Sequence, residues 1–392
     1  MKRLFLFIAF VGAMLGAYAD KEEYHPKETD DYITINDVTV VPGSAGTYKV
    51  QISLVGTKIY TAYEMDLDLP SGLEPELDKD GTPKVSLWKG SNTIYPYTED
   101  EDSGNKDFTH ILAKSYGAVG PNIIRMSCIS LSAQELTATE GVLVTITLKA
   151  TPYLKPGDVQ IKVTNLHLIT NEEIWVKGEQ FNGQQYNCKD QTLTVHVKGE
   201  SRATVAVSAK NKYSTCVLPF DVNELPAGLQ AYTVTERSAD SRYAYLKEAK
   251  TMRAFTPYIL YAENGFTGEF GGTVDESLYQ EQVVEGILHG TLVPCSVDDG
   301  FILQNQGEGV KLYAMQGNEF LIPAGKCWVL PKINNGTEVK SIDMRLDDAT
   351  GVESAVQEHE SDAFYSLEGK RVWHPQRGHI YIMSGKKVLM LK

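Results

Sequence analysis

The chain has 392 residues, of which 42% are hydrophobic and 22% charged, with 33 Gly, 16 Pro and 5 Cys. This composition excludes a disordered or fibrous chain, and the length suits two or three domains at about 150 residues each. Lys plus Arg number 37 against 51 Asp plus Glu, a formal charge of −14. That balance excludes a basic, phosphate-tracking surface, so nucleic acid is not an expected partner.

Lys2 and Arg3 precede an apolar run from Leu4 to Leu15, and Ala17-Tyr18-Ala19 offers a small-x-small cleavage site before Asp20. The pattern is that of a secretory signal peptide over 1–19, and the expected location is the cell surface or the extracellular space. The lack of a Cys near the cleavage site speaks against a lipid anchor there. The apolar run is too short to span a bilayer and no later run reaches about 18 residues, so no transmembrane helix is expected. The cysteines, Cys128, Cys188, Cys216, Cys295 and Cys327, are odd in number and sparse. They read as small buried hydrophobes in strands rather than as a disulfide framework.

Residues 20–30 are polar and read as a linker. Beyond them, period-2 alternation dominates. It runs through Ile33 to Val41, Tyr48 to Leu54, Met65 to Leu69, Ile123 to Ile129, Gly141 to Ala150, Val159 to Val163 and Gln191 to Val197. Only Ser132 to Glu140 suggests a helical turn. Such strands, broken by Gly, Pro and Asp turns, must bury their apolar faces against a second sheet. The expected fold class is therefore all-β, with a two-sheet β-sandwich over 31–198. A charged break at Lys198 to Arg202 marks a boundary. Strands resume from Ala203 and predict a second all-β domain, sandwich or barrel, over 200–333. Residues 334–361 read as a linker, and 362–392 as a short β tail of two hairpins.

The strand pair Val38–Val41 and Tyr48–Val55 leads into Tyr63-Glu64-Met65-Asp66-Leu67-Asp68-Leu69-Pro70 with Gly72-Leu73 following. Glu140 to Ala150 and Pro156-Gly157-Asp158 come much later. In this order residues 31–198 resemble the cohesin module and, more broadly, the related sandwich of carbohydrate-binding modules. The resemblance implies a nine-strand jelly roll. Cohesins bind dockerins and their structural cousins bind polysaccharide, but no binding face carries over residue by residue. Tyr213 to Phe220, Leu225 to Val234, Thr256 to Leu260, Leu288 to Leu292 and Ile322 to Trp328 resemble a β domain of secreted proteins in Bacteroidota-type bacteria, which brings no activity with it. Phe364 to Val372 followed by Gly378 to Val388 resembles the sorting tail of type IX secretion, which implies export and attachment at the outer-membrane surface.

The motifs G-x-S-x-G, H-E-x-x-H and the Walker P-loop are all absent. None of the eight His has a partner at ligand spacing. Asp66 and Asp68 share one strand face, but between Met65, Leu67 and Leu69 they read as a solvated face rather than a hydrolytic pair. Glu76-x-Asp78-x-Asp80-Gly81 imitates the start of a calcium loop. The position of the bidentate Glu holds Leu87, so an EF-hand is rejected and a looser calcium site is the remaining cofactor candidate. Trp88, Tyr95 and Tyr97 sit in a polar stretch and are the candidate ligand-binding residues, because flat rings stack on sugar faces. Trp175, within Ile-Trp-Val, reads as core. The expected function is non-catalytic binding of a glycan or a cell-surface protein. The alternative is a structural surface-layer or fimbria-like component, and a glycoside hydrolase is less favoured.

Overall fold

The computed structural model describes residues 24–90, 93–99, 106–176, 179–238, 242–307, 309–315, 320–330, 339–346, 364–365, 371–372, 380–383 and 386–389. The expected signal peptide lies outside them. Among the described residues the chain is all-β, with a single short 3-10 turn at Glu276–Leu278. None of them forms a helix long and apolar enough to cross a membrane.

The first unit comprises, in chain order, β1 (Lys27–Thr29), β2 (Tyr32–Ile35), β3 (Thr39–Val40), β4 (Tyr48–Val55), β5 (Ala62–Asp68), β6 (Leu73–Pro75), β7 (Val85–Leu87), β8 (Tyr97–Glu99) and β9 (Lys106–Phe108). It continues with β10 (His110–Tyr116), β11 (Ile123–Ser130), β12 (Glu140–Ala150), β13 (Gly157–Ile169), β14 (Glu173–Val176), β15 (Glu179–Asn182), β16 (Gln185–Cys188) and β17 (Gln191–Val197). One sheet runs β1-β16-β13-β5-β11-β10, with β17 pairing β13 and β3. The other runs β2-β4-β12-β6, with β7 also on β12.

Alternation decides which side chains meet between the sheets. Tyr63, Met65 and Leu67 of β5 and Met126 and Cys128 of β11 point inward, toward Val50, Ile52 and Leu54 of β4 and Val144, Ile146 and Leu148 of β12. A buried polar clasp ties the chain start to this core. Asp31 accepts hydrogen bonds from Thr57 N (3.1 Å), Thr57 Oγ1 (3.0 Å) and the Tyr60 hydroxyl.

Two expectations for the first unit change. Residues 27–29 are no loose linker, because they pair in parallel with β16, Lys27 opposite Tyr186. No helical turn forms over 132–140. Leu136 is drawn into the core, and its backbone donates to Tyr60 O at 2.7 Å. All five cysteines are free thiols. Burial raises the pKa of the Cys128 and Cys216 thiols to about 12, as expected of inert packing residues.

The second unit begins without a linker. Only two residues separate β17 from β18 (Glu200–Val207), which pairs with Phe266–Thr273. A ten-stranded sheet follows, in the order Tyr213–Val217, Pro257–Tyr261, Gln230–Arg237, Tyr243–Ala249, Ser341–Leu346, Val310–Ala314, Phe301–Asn305, Lys326–Val329, Leu288–Thr291 and Gln282–Glu285. Its last strands approach Gln230–Arg237 and Pro257–Tyr261, so the sheet curls back on itself. Ser341–Leu346 lies within the expected linker. Its alternating Ile342 and Met344 are instead taken into this sheet, in parallel with Tyr243–Ala249. The C-terminal strands Phe364–Tyr365, Arg371–Val372, Ile380–Met383 and Lys386–Leu389 form a four-stranded sheet of their own.

The two units are packed directly together. Tyr153 of the first joins the second unit's core, and its carbonyl accepts from the Tyr279 hydroxyl at 2.6 Å. Ser201 is buried and donates to Pro152 O at 2.8 Å. Gly43 adopts φ +70°, and a Cβ there would stand 1.6 Å from the Arg202 carbonyl oxygen. That contact is backbone and cannot swing aside. Gly43→Ala is expected to destabilise the protein by about 2–3 kcal/mol, from the strained φ and the displaced neighbouring strand. Chemical denaturation of the two proteins checks it; an unchanged midpoint would remove the junction from the account of stability.

Candidate functional site

The outer face of the eight-stranded sheet carries a connected set of oriented polar side chains. On β5, Glu64, Asp66 and Asp68 point away from the core. Across the ladder on β11, Asp66 faces Arg125 and Glu64 faces Ser127. On the other side, β13 sets Thr164 opposite Asp66 and His167 opposite Glu64.

Asp66 is only 3% exposed. Arg125 grips it bidentately, Nε to Oδ1 at 2.7 Å and Nη2 to Oδ2 at 2.6 Å. Asn165 Nδ2 adds a third bond to Oδ2 at 2.7 Å. The Asn165 contact depends on a β-bulge, since the β13–β5 register shifts between Thr164 and His167. Asn165 itself sits at φ +52°, a conformation uncommon outside glycine. A bulge inserts one residue, kinks the strand and re-aims a side chain; here it delivers the Asn165 amide to the carboxylate. Burial pushes the Asp66 carboxyl up. The hydrogen bonds from Arg125 and Asn165, with the guanidinium charge, outweigh it, and the net direction is below the ordinary aspartate value.

The network extends sideways. Ser127 Oγ donates to Glu64 Oε2 at 2.8 Å, and His167 Nδ1 lies 2.9 Å from Asn187 Oδ1. Farther along the sheet His196 Nδ1 donates to Asp158 Oδ1 at 2.6 Å, which raises the imidazole pKa. At the other edge Ile111 of β10 lies opposite Ile129 of β11, and Ile111 is exposed. Beyond Asp68, a groove of about 420 Å³ is shared between Asp68, Lys155 and Lys162 of the first unit and Tyr279 and Glu281 of the second. The outer face is thus charged at its centre, apolar at one edge, and bounded by the second unit.

The residues singled out from sequence divide. Tyr95 is 1% exposed. Its hydroxyl lies 2.9 Å from that of Tyr63, and its ring packs edge-on against Phe108 and His110. It is a core residue, not a ligand-stacking one, because its ring packs within the hydrophobic core of the first unit. Trp88 is half-buried, its ring lying over Gly90. Tyr97 is exposed on the β8–β9 hairpin. The three rings therefore form no common platform. Trp175 departs from its core reading: it is 55% exposed.

The candidate calcium loop is a polar hairpin whose carboxylates face different partners. Glu76 pairs with Lys84 at 3.0 Å and Lys149 at 3.8 Å, and Asp78 with Lys114 at 3.0 Å. Asp80 accepts from Thr82 Oγ1 at 2.8 Å and Thr82 N at 3.2 Å. Among the described residues no three His, Cys, Asp or Glu side chains converge on one point. The solvated reading of Asp66 is likewise corrected: an ion pair and an amide have replaced its water. Arg125 and Asn165 carry no signal in the sequence, because nothing local says which strand will lie beside β5.

No family model matches this chain, and no curated protein matches it. Similar solved structures include the seventh ScaB type I cohesin of Pseudobacteroides cellulosolvens (12% identity, 43% of this chain and 91% of that one, TM-score 0.30). A non-cellulosomal cohesin of Archaeoglobus fulgidus gives 11% identity over 43% of this chain and 91% of that one, with a TM-score of 0.25. A chain of a type I cohesin–dockerin complex from Clostridium thermocellum gives 12% over 46% and 99%, with a TM-score of 0.26. The likeness concerns fold alone.

Two variants test the network. Arg125→Ala leaves a buried carboxylate without its cation and is expected to cost about 3 kcal/mol. Asp66 titrates below its unfolded value, so its contribution is present above about pH 4 and is lost as pH falls through the lower folded value. The stability gap between the wild type and Asp66→Asn should therefore be widest near neutrality and shrink toward pH 2. Urea titrations across that range check it; a gap that does not change with pH would contradict the assignment.

Proposed function

We propose that this chain is an exported, non-catalytic binding protein, and that the outer face of its eight-stranded sheet docks a protein partner. The observation that carries the proposal is the Asp66 cluster. Folding alone does not require a carboxylate at this position, and an apolar replacement of a buried ion pair is often as stable. Here a bulge, a left-handed Asn165 and a bidentate Arg125 hold the charges of the strand surface in one arrangement. Such preorganisation favours recognition, because side-chain ordering is completed before the partner arrives.

The same geometry opposes acid–base catalysis at this point. A general acid needs a raised pKa and a general base needs free lone pairs. Asp66 is held ionised, with its oxygens occupied by Arg125 and Asn165. The exposed Ile111 and its neighbour Ile129 supply apolar area beside the charges, the mixture typical of a non-obligate protein interface.

Pull-downs from the producing cells' envelope test this reading. The wild type should retain a defined protein that an Ile111→Arg/Ile129→Arg variant loses, while Trp88→Ala keeps it. Identical retention by all three proteins would overturn the assignment of the face.

Export rests on the leader pattern of Lys2, Arg3 and Ala17-Tyr18-Ala19 and on the resemblance of the tail after Phe364 to a sorting signal. The mature protein is expected to begin at Asp20, and removal of 362–392 to stop its appearance on the cell surface. N-terminal mass analysis and surface proteolysis of both forms check these outcomes; a retained Met1 would contradict export.

A further inference from the structure

We propose that the β14–β15 hairpin is a second binding site, separate from the sheet face, and that it takes a neutral polysaccharide with Trp175 as the stacking ring. The hairpin interrupts the passage from β13 to β16, and among the described residues its two strands pair only with each other. Trp175 lies directly opposite Gln180, and Glu173 opposite Asn182. Spacing by two places all four side chains on one face of the hairpin. Ile174 and Phe181 pair on the reverse face.

The indole is thus flanked by two carboxamides and a carboxylate, all exposed. Its exposure does nothing for folding. A two-stranded hairpin is at best marginally stable, and a residue 55% exposed adds little burial to it. The arrangement matches the chemistry of a pyranose. An apolar C–H face lies on a flat ring, while hydroxyls around the sugar's rim meet donors and acceptors standing beside that ring.

Charge narrows the class of ligand. Residues 172–182 carry Glu172, Glu173 and Glu179 against the single Lys177, while the nearby Lys27 and Lys58 are engaged with Glu172. With a formal chain charge of −14, this site repels anionic polymers and leaves neutral glycans as its complement. This proposal does not rest on the sheet face being an interface.

Native affinity electrophoresis of the chain from Asp20 onward tests it, with xyloglucan, galactomannan, mixed-linkage β-glucan and starch as neutral probes and polygalacturonate as the anionic control. At least one neutral probe should retard the wild type. Trp175→Ala should weaken that retardation at least tenfold, and Trp175→Tyr should keep part of it. Trp88→Ala and the Ile111→Arg/Ile129→Arg variant should keep all of it, and polygalacturonate should have no effect. Because Trp175 is exposed, the thermal midpoint of Trp175→Ala should match that of the wild type. Absence of retardation by every neutral probe overturns the proposal, as does retardation unchanged in Trp175→Ala. Loss of a protein partner in the Trp175→Ala pull-down, with the glycans silent, also overturns it and assigns the hairpin to protein recognition.

Discussion

Strand β5 sets the condition that the rest of the first unit satisfies. Its inner side chains, Tyr63, Met65 and Leu67, are each at most 2% exposed and stand at the centre of the sandwich core. Period-2 geometry then forces Glu64, Asp66 and Asp68 to the other side. With β11 and β13 on either flank, the middle carboxylate is covered by its neighbours and loses its water. A buried charge is tolerated only when paired and hydrogen-bonded. Arg125 meets that demand from one flank and Asn165 from the other. The apolar demand of one face thus generates the polar organisation of the opposite face.

The second unit is part of the same construction. Tyr153 leaves the first sandwich and packs in the second core, while Ser201 and the backbone of Arg202 are bound to Pro152 and Pro42. These are short-range, directional contacts across a two-residue connection, so the second unit stands as a fixed wall beside the sheet face. The groove beside Asp68 is the consequence, since neither unit forms it alone. A partner on the sheet face would meet that wall, and shape would contribute to its selection along with charge.

The two surfaces proposed for recognition lie on one all-β framework, and they differ in how they are held. The sheet face is rigid, its charges fixed by a buried ion pair and a strained asparagine. The β14–β15 hairpin is a two-stranded element with the Trp175 ring on one face and the Phe181 ring on the other. A rigid polar plane suits a complementary protein surface, and an isolated ring suits a repetitive polymer whose units are interchangeable.

Strand class and facing were legible in the residue order. Alternation placed β4, β5, β11, β12 and β17 and sorted Met65 and Leu67 from Asp66 and Asp68, because a strand's two faces are decided by parity within a few residues. Neighbour relations were not legible. Asp66 and Arg125 are 59 positions apart, and no local pattern states that β11 lies beside β5. The bulge at Asn165 follows from that pairing, so its side-chain target was equally hidden. Burial of aromatics was misjudged in both directions: Tyr95 looked exposed in a polar stretch and is core, while Trp175 looked buried between Ile and Val and is exposed. Residues 27–29 and 341–346 looked like linker and became strands because open sheet edges were there to receive them. By itself the sequence determined an all-β chain and the inward or outward sense of its main strands, both matters of short-range periodicity. The tertiary structure alone decided which charges meet, which rings face water and where the units join, since those depend on contacts between residues far apart in the chain.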